Sequence, residues 1–441
     1  MFRSMVPLAV ATLSALLLPV AFAQPAESAP FTERLAASEL SPSGLTLEAA
    51  MRSALLNNPQ LRAAQLEVEA GDGAVRQASL LPNPSLDYTQ EDLKKQSRTT
   101  TVLLSQPLEL GGKRAARTAL AQRSRDVAVA DLEARRSEVR ATAIQAFFDA
   151  LVAQERVTVA DESLRIAEGG SAAAARRVAA GKVSPTEETR ARVAEANARI
   201  ERRQAQADRQ SALRALTAVM AVPDGSVLRL DGRPDALPPL PANDTLAQRL
   251  VDAPALRRAQ REVQRAEAAY ELERSRRIPD VRLSFGSKRT EETGRSQAVI
   301  GISVPLPVFD RNQGAQYETL RRRDAARALA EAEVLRLRSE VLQAADQLQA
   351  REDEVQSLQQ DVLPGARSAY EAASRGFELG KFGFLDVLDA QRTWLLARSQ
   401  YLNALSQAHR AAADLERRLG APNGTRSESS TDATAPSTYR E

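Results

Sequence analysis

Asn58-Pro59-Gln60-Leu61-Arg62-Ala63-Ala64-Gln65 recurs 195 positions later as Ala253-Pro254-Ala255-Leu256-Arg257-Arg258-Ala259-Gln260, and the residues after each stretch also repeat. At the same offset Pro84-Ser85-Leu86 returns as Pro279-Asp280-Val281. Ser105-Gln106-Pro107-Leu108 matches Ser303-Val304-Pro305-Leu306 at an offset of 198, and Gly181-Lys182 matches Gly380-Lys381 at 199. So slow a drift means short loop insertions inside two copies of one unit, and the period is far too long for a solenoid.

Each unit changes periodicity along its length. Thr46 can cap a short helix that ends near Asn57-Asn58-Pro59, and a second helix starts with Pro59 at the favoured first position. Alternation then replaces the helical spacing, predicting strands at about 84–91 and 99–107 in the first unit and 279–287 and 297–305 in the second. One side of these strands carries Leu86 and Tyr88, Val102 and Leu104, Val281, Leu283 and Phe285, and Ile300, Ile302 and Val304. Strands of roughly 8–11 residues suffice to cross a bilayer at a tilt, so this apolar side is expected to face lipid. The hairpin tips, 91–98 and 288–295, are polar. Two hairpins cannot leave their edges open in lipid, where each unpaired backbone group costs several kcal/mol, so other chains would have to complete a closed barrel. The competing reading is two hairpins of a soluble sheet.

Behind each hairpin comes a very long helical stretch, 113–180 and 312–379, with one interruption apiece at Gly169-Gly170 and Pro364-Gly365. Each would span roughly 100 Å. Ile144, Phe147, Phe148, Leu151 and Val152 have the spacing of a packed stripe. Gly181 and Gly380 stop the long helices at tip turns (181–185 and 380–383), and return helices run to Met220 and Leu419. The first unit is thus 46–221, the second 245–420, with a Gly- and Pro-bearing linker at 222–244 and a polar tail, expected to be disordered, at 421–441. Arg3, the apolar run Val6 to Val20 and Ala21-Phe22-Ala23 form an export signal over 1–23, followed by an extended arm to residue 45.

Composition excludes much. Of the residues 43% are hydrophobic, 27% charged and only 4% aromatic, a profile of long helices. There is no cysteine and a single histidine, His409, which removes disulfides, thiolate metal sites and Cys/His catalysis. The net charge is +3 with arginine and glutamate interleaved, which gives no nucleic-acid footprint. His409 lies among alanines and reads as a surface or interhelical residue more than a ligand. Gly111-Gly112-Lys113 lacks the remaining residues of a phosphate loop and reads as a strand-to-helix turn. Trp394 and Phe384 read as helix-packing residues. Neither a cofactor nor a catalytic residue is expected.

This plan, together with three strings, resembles the TolC-like outer-membrane efflux proteins and within them the CzcC-like subgroup of heavy-metal cation efflux. The strings are Leu104-Ser105-Gln106-Pro107-Leu108-Glu109-Leu110-Gly111-Gly112-Lys113-Arg114, Gly181-Lys182-Val183-Ser184-Pro185-Thr186-Glu187-Glu188-Thr189 and Pro305-Leu306-Pro307-Val308-Phe309-Asp310-Arg311-Asn312-Gln313-Gly314. The resemblance implies a mostly α protein with a transmembrane β-barrel. Four strands from each protomer of a homotrimer would close a 12-stranded barrel in the outer membrane, joined to an α-helical periplasmic tunnel. It implies partners as well: a periplasmic adaptor (membrane fusion) protein and an inner-membrane resistance-nodulation-division pump. The adaptor would meet Gly181, Lys182, Val183, Ser184, Gly380, Lys381 and Phe382.

By the same resemblance Asp386 and Asp389, with Glu187 in the first unit, would ring the periplasmic entrance and favour cations. The competing reading is that acids at a helix start only complement its dipole. The arginine and tyrosine that latch the closed tip in well-known members are replaced at the corresponding positions by Phe382 and Phe377, so a latch of aromatic packing is expected. A type I secretion or multidrug duct of the same fold is the alternative function. A soluble coiled-coil adaptor is disfavoured, because adaptors lack paired membrane hairpins.

Overall fold

A computed structural model describes residues 44–420, apart from Leu93, Gly225, Ser226, Leu228 and Gly380. The expected export signal, nearly all of the arm and the tail lie outside the described residues. Helix α1 (Leu47–Asn57) is capped by Thr46, whose hydroxyl accepts the Ala49 N–H at 3.3 Å. In α2 (Pro59–Ser79) the Asn58 side chain accepts from Gln60 N at 2.9 Å and Pro59 fills the first turn, where no N–H is needed. Strands β1 (Ser85–Glu91) and β2 (Thr99–Leu108) come next, then α3 (Lys113–Ala179) and α4 (Pro185–Met220). The second unit repeats the order: α5 (Asn243–Val251), α6 (Pro254–Ser275), β3 (Val281–Thr290), β4 (Arg295–Ser303), α7 (Gln313–Ser357), α8 (Leu363–Glu378) and α9 (Phe384–Leu419).

The two hairpins join into one antiparallel sheet, β1-β2-β3-β4, through pairing of β2 with β3. Register puts Leu86, Leu104, Phe285 and Ile300 in one row across all four strands, with Tyr88 opposite Val102 and Leu283 opposite Ile302. Val281, opposite Leu108, lies on the same face. That face is open: Ile300 is 84% exposed, Ile302 71% and Leu86 70%. The other face is largely polar, with Ser105 Oγ hydrogen-bonded to Asp87 at 3.2 Å and to Ser284 at 3.1 Å. Gly286 is required there, since a Cβ would stand 1.9 Å from the Val102 carbonyl oxygen.

Four expectations need correction. The second hairpin turns within Glu291–Gly294 instead of across 288–295, because Lys288, Arg289 and Thr290 pair with Gln297, Ser296 and Arg295. Polar side chains do not end a strand whose backbone ladder continues. Val304 falls one residue beyond β4.

The expected break at Gly169-Gly170 does not occur, and α3 runs unbroken for 67 residues. Each glycine costs about 1 kcal/mol against alanine, but flanking Leu164, Ala167 and Ala174 are buried, the first two clustering with Ala198 and the third with Ala191 of α4.

In the second unit the break precedes the expected Pro364-Gly365. A π turn at Leu358–Val362 ends with the Leu363 N–H donating to the Leu358 carbonyl. Pro364 has no N–H for the carbonyl four residues back and its ring would crowd it, which the wider turn relieves.

The core is distributed along the helices. Leu45, Phe147, Leu151, Leu216, Met220 and Leu230 form one cluster, and Leu246, Leu256, Leu337, Leu348, Leu415 and Leu419 another. Val152 of the first unit clusters with Val355, Leu402 and Leu405 of the second and joins the two units. No described helix is long and apolar enough to cross a membrane.

Candidate functional site

The two helical hairpins end in turns that share one backbone hydrogen bond, Lys182 N–H to Arg177 O in the first and Lys381 N–H to Gly376 O in the second. In the first, Gly181 adopts φ +69°, Gly181 N–H donates to Val178 O and Lys182 N–H to Arg177 O, both at 2.9 Å. A left-handed glycine thereby closes the last turn of α3 and satisfies its carbonyls. Ser184 then caps α4, accepting from Thr186 N, with Pro185 at the first helical position. Lys182 and Ser184 are exposed, and Val183 and Glu187 half-buried. In the second turn, Lys381 N–H donates to Gly376 O at 2.7 Å and Phe382 N–H to the same oxygen at 3.3 Å. The Phe382 ring lies on Gly376 so closely that a Cβ there would be 2.0 Å from its Cδ2.

Asp386 and Asp389 stand one helical turn apart at the start of α9, both exposed. Asp386 Oδ2 accepts the Gly383 N–H at 2.9 Å and so performs helix capping as well. Phe377 is half-buried and packs beside Ala174 and Ala191. The Arg177 guanidinium lies 3.9 Å above its ring, and Nη2 donates to the Phe377 carbonyl at 3.4 Å. The contact between the first and second units at this end therefore combines apolar packing with an arginine on an aromatic face. Sequence reading named Phe377 and missed Arg177, because pairing across 200 residues leaves no local trace.

The remaining candidates have structural work. Trp394 stacks on Tyr370 at 5.3 Å and ties α8 to α9. His409 is only 1% exposed, stacks on Phe148 at 3.4 Å, and its Nε2 meets the Pro234 carbonyl at 2.7 Å, so it fastens the inter-unit linker to α9. Burial pushes its pKa below the usual histidine value, opposed by that hydrogen bond and by Asp149. Gly111 and Gly112 both take positive φ at the strand-to-helix turn, where Lys113 pairs with Asp280 at 2.7 Å. Among the described residues no group of three His, Cys, Asp or Glu is placed to hold a metal ion. The tip offers charge instead, in the form of two carboxylates on a surface framed by capped turns.

Comparison with known proteins supplies the family. The cobalt-zinc-cadmium resistance protein CzcC of Cupriavidus metallidurans is 45% identical over 376 residues, 85% of this chain and 90% of that protein. The nickel and cobalt resistance protein CnrC of the same organism is 30% identical over 326 residues, 71% and 72% of the two chains. The solved structure of CusC, described with its transmembrane channel formation, matches with a TM-score of 0.73 at 20% identity, covering 85% of this chain and 92% of that one. The fold is that of a trimeric barrel continued by a helical tunnel, spanning the outer membrane and reaching into the periplasm. The model of the outer membrane efflux protein family matches residues 50–222 and 245–421, the two repeated units, and the chain belongs to that family.

Proposed function

We propose that this outer-membrane efflux channel is the exit duct for divalent heavy-metal cations. In this reading it receives them from an inner-membrane resistance-nodulation-division pump through a periplasmic adaptor. The family works in tripartite systems as trimers. The observation that carries the cargo assignment is the 45% identity to a cobalt-zinc-cadmium resistance protein along 90% of its length. Geometry supports it, since three copies of exposed Asp386 and Asp389 would put six carboxylates around a common axis, a field that draws cations and repels anions. Half-buried Glu187 would add to that field from the first unit.

In the same reading the turns Gly181–Ser184 and Gly380–Phe382 meet the adaptor. Phe377 under Arg177, with Phe382 seated on Gly376, holds the tip closed. The apolar sheet face from Leu86 to Ile302 meets lipid, and a signal over 1–23 directs export.

The test is cellular. A strain deleted for this gene should lose tolerance to zinc, cobalt and cadmium, and the full-length chain supplied in trans should restore it. Unchanged cation tolerance alongside loss of an exported polypeptide would establish the secretion-duct alternative.

A further inference from the structure

Directly after β4, Leu306, Val308 and Phe309 are 80%, 60% and 91% exposed. Such an apolar run on a connection between strand and helix calls for a cover. At the opposite edge of the sheet, just before β1, Leu80 and Leu81 are also open at 55% and 64%. With Ala74, Gln77, Ala78, Pro82 and Arg117 they line a cavity of about 450 Å³. Arg117 is fixed there before anything binds. Its guanidinium donates to both Glu109 oxygens at 2.5 and 3.2 Å, to Ala78 O at 2.9 Å and to Leu80 O at 3.0 Å. These bonds use the edge of the guanidinium and leave its faces for a ring.

We propose that Phe309 of one protomer seats in the Leu80–Pro82 cavity of the next, forming an apolar seam between copies at the foot of the barrel. The internal repeat argues for this occupant. Inside one chain, the connection leaving β2 already packs on the segment leading into β3. Gly111 approaches Ile278 so closely that an added Cβ would be 2.8 Å from the Ile278 Cβ. Leu110 N–H donates to Asp280 at 3.3 Å, and Lys113 pairs with Asp280. When three sheets close a ring, β4 of one copy neighbours β1 of the next in the same order as β2 neighbours β3. The connection leaving β4 must then meet the segment leading into the next copy's β1, and those two segments carry the exposed apolar groups.

Chemistry fits the substitution. At the 195 offset, Asp280 corresponds to Ser85, so the ionic anchor of the internal seam has no counterpart and apolar burial takes its place.

A photoreactive benzophenone-bearing phenylalanine in place of Phe309 in the full-length protein keeps the ring and tests the contact in intact outer membranes. Irradiation should give dimer and trimer bands on denaturing gels, with the crosslink mapping to 74–82 or to Arg117 of a second chain. Adducts to lipid, to the same chain or to another segment, or no adduct at all, would overturn the proposal. As a second arm, Phe309→Leu should keep the heat-resistant trimer band and Phe309→Asp should lose it. A Phe309→Asp trimer as resistant as wild type would also overturn the seam.

Discussion

Asp386 already has one task, since its carboxylate caps α9 through the Gly383 N–H. That accounts for a single acid at a helix start but not for Asp389 three residues on, which adds a second exposed charge on the same side of the helix. Asparagine separates the two roles. Its amide oxygen can still accept the Gly383 N–H, so the double variant Asp386→Asn, Asp389→Asn should fold and trimerise normally while the carboxylate field is reduced to the share of Glu187. Reversal potentials under a salt gradient should show the cation-to-anion ratio falling toward unity. An unchanged ratio at normal conductance would leave these residues as helix starters only. Arg177 marks the limit of residue-level reading, because neither the arginine nor Phe377 carries a local mark of the other and only the fold brings them together.

At the scale of elements, the strands were legible because alternation is local and the apolar positions of all four strands fall on one face once register is known. Arginine at Leu283 or Ile302 should therefore cost roughly 2–4 kcal/mol near the membrane midplane. Arginine at Ser284 enters the polar face beside Ser105 and Asp87 and should be tolerated. Outer-membrane yield of the three variants reads this out, and equal yields would mean the lipid-facing side is misassigned. Outcomes decided by tertiary packing or by backbone geometry were not legible. Gly169-Gly170 looks like a break, yet burial of neighbouring residues carries α3 through it. Pro364 does disturb its helix, but as a π turn upstream of itself, where the strain is relieved. The β2–β3 pairing that makes one sheet of two hairpins links segments about 180 residues apart, beyond any local pattern.

At the scale of the whole molecule, the repeat was the strongest signal, and it also explains why one chain is incomplete. Its four-stranded sheet has β1 and β4 as edges and exposes an apolar face, a combination that only ring closure in a bilayer satisfies. In the proposed reading the tip and its carboxylates form an entrance when three copies surround one axis. The proposed cargo, by contrast, rests on resemblance and not on any ligand geometry, since a duct need not hold the ions that pass through it. The central claim is a cation-conducting pore made by three chains, and planar-bilayer recording of the extracted full-length trimer tests it most directly. The account predicts discrete conductance steps that survive chelator and reductant, with a reversal potential on the cation side under a salt gradient. A trimer that gives no steps, or one whose reversal potential lies on the anion side, would contradict it.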